Sequence, residues 1–310
     1  MPLLRTEAEH LSNNQLIAGV IDEIIERDDL FAIMPFLGVN GKAYVYNRET
    51  TMGSADFLDP NDPVNESSAT FTEVVAKLRI LAGDVDVDKF LASTMGDTND
   101  QMAVQIAKKA KAVARMFHQT LATGNSTTNP KAFDGLRVLS DQAQSFAATA
   151  GGSQLVSAGT NGSALTLSML DELCDSVPNG ADVIVMRRGT IRAFRALLRA
   201  TYGTDAVMQQ LENFGRPMLT HNGIPVIMNE FLPGNETQGT SSSTTSVYAL
   251  RVNELDGLHG LYGGDNAGLV VENVGTVQNK DATRIRLKWY TSIALKSTRS
   301  IARLGGVTNI

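Results

Sequence analysis

KAYVYNRETTMGSADFLDPNDPVNESSATFTEVVAKLRILAGDVDVD, residues 42–88, sets two strand-forming runs on either side of a segment that cannot bury a core. From Lys42 to Glu49 the run KAYVYNRE is rich in aromatic and β-branched strand formers. From Phe71 to Leu81, Val74, Ala76, Leu78 and Ile80 alternate with Glu73, Lys77 and Arg79, so a second strand divides apolar from charged side chains. Between them, Met52 to Ser68 is crowded with Pro, Asp and Asn, the turn-forming residues. The pattern predicts a long, open-tipped hairpin. Two such strands alone are marginally stable and would project roughly 30 Å, so the hairpin implies a covering partner. After Gly83 the apolar phase shifts by one residue, to Val85 and Val87, which predicts a bulge or twist at the glycine. Asp84, Asp86 and Asp88 share the start of a calcium loop, but Lys89 stands at the turn-glycine position and Met95 at the glutamate position. A strand with one acidic, solvated face is expected there, and no metal.

Upstream, Leu16, Ile17, Val20, Ile21, Ile24 and Ile25 recur at helical spacing with Asn13, Glu23 and Arg27 off the stripe, predicting an amphipathic helix over 13–27. Leu30 to Leu37 reads as extended, with Pro35 favouring an edge position. Residues 1–40 therefore read as an arm whose apolar stripe also needs a partner. The expected intersubunit contacts are Leu16, Ile17, Val20, Ile21 and Ile24 on the arm, and Lys42, Arg48, Glu49, Glu66, Glu73, Lys77 and Arg79 on the hairpin. For each, the alternative is that the element folds back on its own domain.

Downstream, Thr98 and Gln101 have capping-box spacing, and Met102, Ile106, Val113, Phe117 and Leu121 line one helical face until Gly124. Gly and Ser clusters at Gly124 to Asn129, Thr149 to Ser163 and Gly234 to Ser246 read as exposed loops. Thr166 caps the helix LSMLDELCDSV, ADVIVM reads as a buried strand, and Thr190 precedes the helix IRAFRALLRA. Arg192, Arg195 and Arg199 fall on one face of that helix, suited to phosphate or an acidic neighbour, or to plain solvent. The tail from Leu269 to Val307 is strand-rich, which makes the chain α+β. The expected division is an arm at 1–40, the hairpin and its base at 41–90, a long helix with its peripheral domain at 91–150, an axial α/β domain at 151–268, and strands returning to the peripheral domain at 269–310.

With 310 residues, 43% of them hydrophobic, the chain can bury a sizeable core. No run of eighteen apolar residues occurs and the start lacks a secretory pattern, so a soluble intracellular protein is expected. The formal charge of -6 argues against a dedicated nucleic-acid binder. A lone Cys174 among apolar neighbours reads as a buried thiol and excludes a disulfide framework. His10, His118, His221 and His259 are scattered over an arm, a helix and two loops without ligand spacing. Phosphate-loop, HExxH, GxSxG and GxGxxG signatures are missing from the sequence. No catalytic residue, cofactor or enzyme activity is expected.

The order of elements, arm, long hairpin, long helix, α/β middle and closing strands, resembles the Hong Kong 97-type major capsid protein of tailed bacteriophages over nearly the whole chain. YVYNRE through VAKLRILAGDVDVDKF resembles the extended E-loop, DTNDQMAVQIAKKAKAVARMFHQTL the spine helix, and GNSTTNPKAFDGL the stretch just after it. LTLSMLDELCDSV, ADVIVMRRGT and NGIPVIMNEFLP resemble the axial domain. The resemblance implies a subunit that forms pentamers and hexamers, closing into an icosahedral shell around double-stranded DNA contacted nonspecifically. It also implies a portal ring, a separate scaffolding protein, a decoration protein in some members, and residence in the virion after assembly in the host cytoplasm. Some members crosslink covalently from a lysine of the E-loop, and this hairpin offers Lys42 and Lys77, but no motif identifies an acceptor or catalytic acid, so noncovalent assembly is expected. An encapsulin-type compartment shares the same pattern. A soluble hydrolase or transferase with an unrecognised site is the reading from a different class.

Overall fold

The computed structural model describes residues 30–51, 53–60, 62–94, 101–149, 153–202, 208–210, 217–264 and 268–310. The helix expected over 13–27, with Leu16, Ile17, Val20, Ile21 and Ile24, lies outside the described residues, as do His10 and the Thr98 cap. In chain order the elements are α1 (Leu30–Ile33), β1 (Phe36–Val39), β2 (Ala43–Thr51), β3 (Thr70–Lys77), β4 (Arg79–Asp88), α2 (Lys89–Thr94), α3 (Gln101–Thr123) and α4 (Leu136–Thr149). They continue with β5 (Leu155–Ser157), α5 (Leu167–Asp175), β6 (Val183–Met186), α6 (Arg188–Tyr202), β7 (Met208–Gln210), β8 (Pro217–His221) and β9 (Ile224–Met228). β10 (Glu236–Gln238), β11 (Ser241–Leu250), β12 (Leu258–Gly263), β13 (Val270–Thr276), β14 (Ala282–Leu295) and β15 (Ile301–Val307) complete the chain.

The first sheet is organised by β14, whose sequence ATRIRLKWYTSIAL alternates from Arg284 to Tyr290. Ile285, Leu287 and Trp289 turn inward, and α3 covers them. Val85, Val87, Ile285 and Leu287 meet Met102 and Ile106 at one end of α3, while Phe117 lies 4.8 Å from Trp289 between ring centroids. β4 and β13 flank β14 on its two sides, and β12 with the parallel strand β1 completes the sheet.

The second sheet runs β5-β15-β11-β6-β9-β8-β7, with β10 beside β11. Val183, Val185, Tyr248, Leu250 and Ile301 face a core shared with Phe117, Leu121 and Leu136 of α3 and α4. Ile184, Met186, Val247, Ala249 and Leu304 face Leu170 and Leu173 of α5 and Phe194 and Leu198 of α6. Helices thus cover both faces, which is why the β6 run VIVM is buried at every position. Thr166 caps α5, its hydroxyl accepting from the Met169 N–H.

Several expectations need correction. β4 pairs with β14 in unbroken register from Arg79↔Thr291 to Asp88↔Ala282, so no bulge occurs at Gly83; the break falls at Leu78, between β3 and β4. The inward set is Leu81, Gly83, Val85 and Val87, which leaves Ile80 facing out at 74% exposure. A Cβ at Gly83 would lie 2.3 Å from Lys109 Cε, so a side chain there would push the flexible lysine aside. Leu30 to Leu37 is not all extended: α1 makes a turn that buries Leu30 and Met34 in the main core, so this part of the expected arm belongs to the body.

Gly234 to Ser246 is not a loop but the β10–β11 hairpin, with Thr244, Thr245 and Ser246 buried and the Thr244 hydroxyl bonded to Glu236 O at 2.8 Å. Thr190 lies inside the first turn of α6 and donates to Asn309 O at 2.8 Å instead of capping. β12 falls within the span expected to be axial, yet it joins the first sheet. β15 falls within the span expected to return to the first sheet, yet it joins the second.

Candidate intersubunit surfaces

β2 and β3 form a two-stranded sheet of their own, and none of their residues is fully buried. One face looks toward the body through Tyr44, Tyr46 and Arg48. The Tyr46 hydroxyl donates to Leu295 O at 2.6 Å, Arg48 donates to the same carbonyl at 2.7 Å and to Lys296 O at 2.9 Å, and Lys296 lies over the Tyr44 ring. Burial pushes the Tyr46 phenol up. Beneath Tyr44 lies His259, fully buried on β12, with its ring edge-on to the tyrosine at 5.9 Å. Its Nδ1 faces Gly257 O at 3.3 Å and its Nε2 has no hydrogen-bond partner among the described residues, so burial holds its pKa below 6.5.

The opposite face is open. Registers Val45↔Val75, Asn47↔Glu73 and Glu49↔Phe71 place exposed Val45, Val75 and Phe71 among Glu49, Glu73 and, at the base, Lys77. Beyond the strands the tip exposes Phe57, Leu58 and Val64, and residues 53–69 carry Asp56, Asp59, Asp62 and Glu66 without one Lys or Arg. An apolar surface mixed with acid and lifted off its own core is suited to docking.

Of the residues expected on the hairpin, Lys42, Glu49, Glu66, Glu73 and Lys77 are exposed. Arg48 corrects the expectation, because its guanidinium holds the hairpin base to its own chain. Arg79 is half-buried beside a cleft of about 290 Å³ lined also by Asp134 and Gln142. Arg192, Arg195 and Arg199 are exposed on α6 as read from sequence, opposite buried Phe194 and Leu198; Arg192 Nη2 is 3.5 Å from Ile310 O. Arg188 continues the same stripe and pairs with Glu230 at 3.3 Å.

Asp84 and Asp86 lie on the outward side of β4 as expected, Asp84 exposed and Asp86 half-buried, but they are not left to solvent alone. Each takes two hydrogen bonds from an arginine across the ladder, Asp84 from Arg286 and Asp86 from Arg284, at 2.6–2.8 Å. Those bonds hold both carboxyls below their ordinary range. Sequence reading missed these pairs because the partner strand begins nearly 200 positions away; the matching RIRLK run of β14 was the available signal.

His221 and His259 stand on strands rather than loops, and His221 Nε2 is 2.8 Å from Asp171 Oδ1. Cys174 is half-buried, and burial together with Asp171 and Asp175 pushes its thiol up to about 11, far from a reactive thiolate at neutral pH. Among the described residues no group of three His, Cys, Asp or Glu is placed to hold a metal ion, and no helix is long and apolar enough to cross a membrane.

No protein-family model matches the chain, and no curated protein sequence does. Solved structures do. The SrpI encapsulin from Synechococcus elongatus PCC 7942 matches with a TM-score of 0.71 at 21% identity, over 99% of this chain and 96% of that one. The capsid of a native GTA particle gives 0.67 at 14% identity, covering 96% of each chain. The capsid of cyanophage A-1(L) gives 0.67 at 13% identity, covering 96% of this chain and 97% of that one. The likeness runs over nearly the whole of each chain, and the chain has the Hong Kong 97-type capsid fold.

Proposed function

We propose that the chain is the major capsid protein of a tailed-phage head, assembling with copies of itself as pentamers and hexamers into an icosahedral shell around double-stranded DNA. The observation that carries this reading is the β2–β3 hairpin, which has no fully buried residue and meets its own body on one face, through Tyr44, Tyr46 and Arg48, while Val45, Phe71 and Val75 stay exposed on the other. An isolated two-stranded sheet is marginal in water, so its open face and acidic, apolar tip need cover that the described residues do not supply. Copies of the same subunit supply it repeatedly, and contacts that are weak singly multiply around a closed shell. The exposed residues Lys42, Glu49, Glu66, Glu73 and Lys77 then select register between neighbours more than they add affinity. A portal ring, a separate scaffolding protein, a decoration protein and nonspecific contacts to packaged DNA are the further partners of this reading. The shell forms in the bacterial host cytoplasm and persists in the virion.

A second reading, an encapsulin-type compartment, is favoured by the match to the SrpI encapsulin, whose solved complex is described as a holo form. Electron microscopy and light scattering of the expressed chain, with and without a co-expressed scaffold, test both. Shells or capsomer rings are expected; monomers under both conditions would sink the shell reading. Nucleic acid inside the particles identifies a head, and enclosed protein identifies a compartment.

A further inference from the structure

Two helices on one face of the second sheet carry opposite charge. α5 lies over β5, β15 and β11, α6 lies over β9, and both bury their apolar sides in the same core. In the strand order β5-β15-β11-β6-β9, α5 therefore sits toward one end of the face and α6 toward the other. α6, RGTIRAFRALLRATY, has no Asp or Glu, and its outer stripe is Arg188, Arg192, Arg195 and Arg199, spaced four, three and four residues apart. α5, LSMLDELCD, has no Lys or Arg, and Glu172 and Asp175 point away from its buried Leu170 and Leu173. Its third acid, Asp171, is occupied by His221 and Asn222.

Part of this charge opposes the helices' own dipoles. Acids stabilise a helix start and bases its end; Arg199 in the last turn of α6 agrees with that rule, but the first turn of α6 carries Arg188 and no acid, and the last turn of α5 carries Glu172 and Asp175 and no base. Arg188 is paired with Glu230, but Glu172 and Asp175 meet no cation, and Arg195 meets no carboxylate, among the described residues. The chain as a whole is acidic, at -6, so four arginines in one stripe are not a general basic background. Guanidinium forks facing carboxylates across a gap are suited to bidentate pairing.

We propose that the arginine face of α6 in one copy meets the Glu172–Asp175 face of α5 in the next, a head-to-tail contact between second sheets. Because the two faces differ, the contact is heterologous, and repetition at a fixed rotation closes a ring. The proposal rests on the shell reading and specifies which surfaces join neighbours and in which order around the ring. The partner is a second copy because acid complementary to Arg192 and Arg195 is present on the same domain, in Glu172 and Asp175, whereas a nucleic-acid partner would leave the α5 acids unanswered.

The test uses the full chain in four forms: unsubstituted, R192E/R195E, E172R/D175R, and all four changes together. All the positions are exposed, so circular dichroism and melting should show four folded subunits. Each one-sided variant is expected to raise the concentration needed for rings or shells by about tenfold or more, through like-charge repulsion. The fourfold variant, with its charges exchanged, is expected to restore assembly. One-sided variants that assemble like the unsubstituted chain would overturn the contact while leaving the shell reading intact. Normal particles that lose only their nucleic acid would overturn it in favour of a polyanion-binding face. An exchange variant that stays monomeric would also overturn it, and failure of the unsubstituted chain to assemble would remove the shell reading and the contact together.

Discussion

His259 shows how one side chain ties the hairpin to the body. It pairs with Ala294 across the ladder, and its ring sits under Tyr44, while the carbonyls of Leu295 and Lys296 just beyond are held by Tyr46 and Arg48. A proton on its unpartnered Nε2 would place a buried cation near Lys296 with no acceptor among the described residues, only weakly offset by the charge of Glu254. Since the folded pKa is lowered from 6.5, the stability this residue contributes is complete above that pH and is lost as pH falls from 6.5 toward the lowered value. Amide exchange of residues 43–51, corrected for its intrinsic pH dependence, should therefore accelerate on acidification. His259→Phe should flatten that acceleration, and a variant that keeps the full pH dependence would refute the assignment. From sequence this histidine was legible only as an isolated residue in a loop; its burial depends on β2, contributed from more than 200 positions upstream.

At the scale of elements, the hairpin, the long helix and the capped helix α5 were legible because their signals are local: alternation, a 3.6-residue stripe, and a threonine three residues before the N–H it accepts from. The break at Leu78 was not, because the strand on either side is equally good and only pairing to β14 or to β2 decides which half each residue joins. The Ser and Thr run at 240–246 reads as a loop by composition, but Thr244, Thr245 and Ser246 are buried inside a sheet, where the Thr244 and Ser246 hydroxyls both donate to Glu236. Because the exposed hairpin tip bears on none of the described residues of the body, replacing residues 53–68 with a short Gly and Ser linker is expected to leave the monomer's melting temperature within a few degrees of the parent. The same deletion is expected to abolish closed particles by electron microscopy. Intact shells from the deleted chain would mean that the tip is ornamental.

At the scale of the whole molecule, the α+β class and the order of parts could be read from the sequence, whereas sheet membership could not. Periodicity marks a segment as a strand but not which neighbour it pairs with, so β12 and β15 each lie in the opposite sheet from the one their position in the sequence suggested. The chain moves from the second sheet to the first between β11 and β12, and back again between β14 and β15. A calorimeter should register that double crossing. Two sheets laced together by exchanged strands cannot melt separately without each losing a member, so the subunit is expected to give a single heat-absorption peak whose calorimetric and van't Hoff enthalpies agree. Two resolved peaks would show that the lacing does not couple them. If the peak is single, neither sheet is a detachable module, and fragments cut between residues 250 and 258 are expected to recover their structure only when mixed.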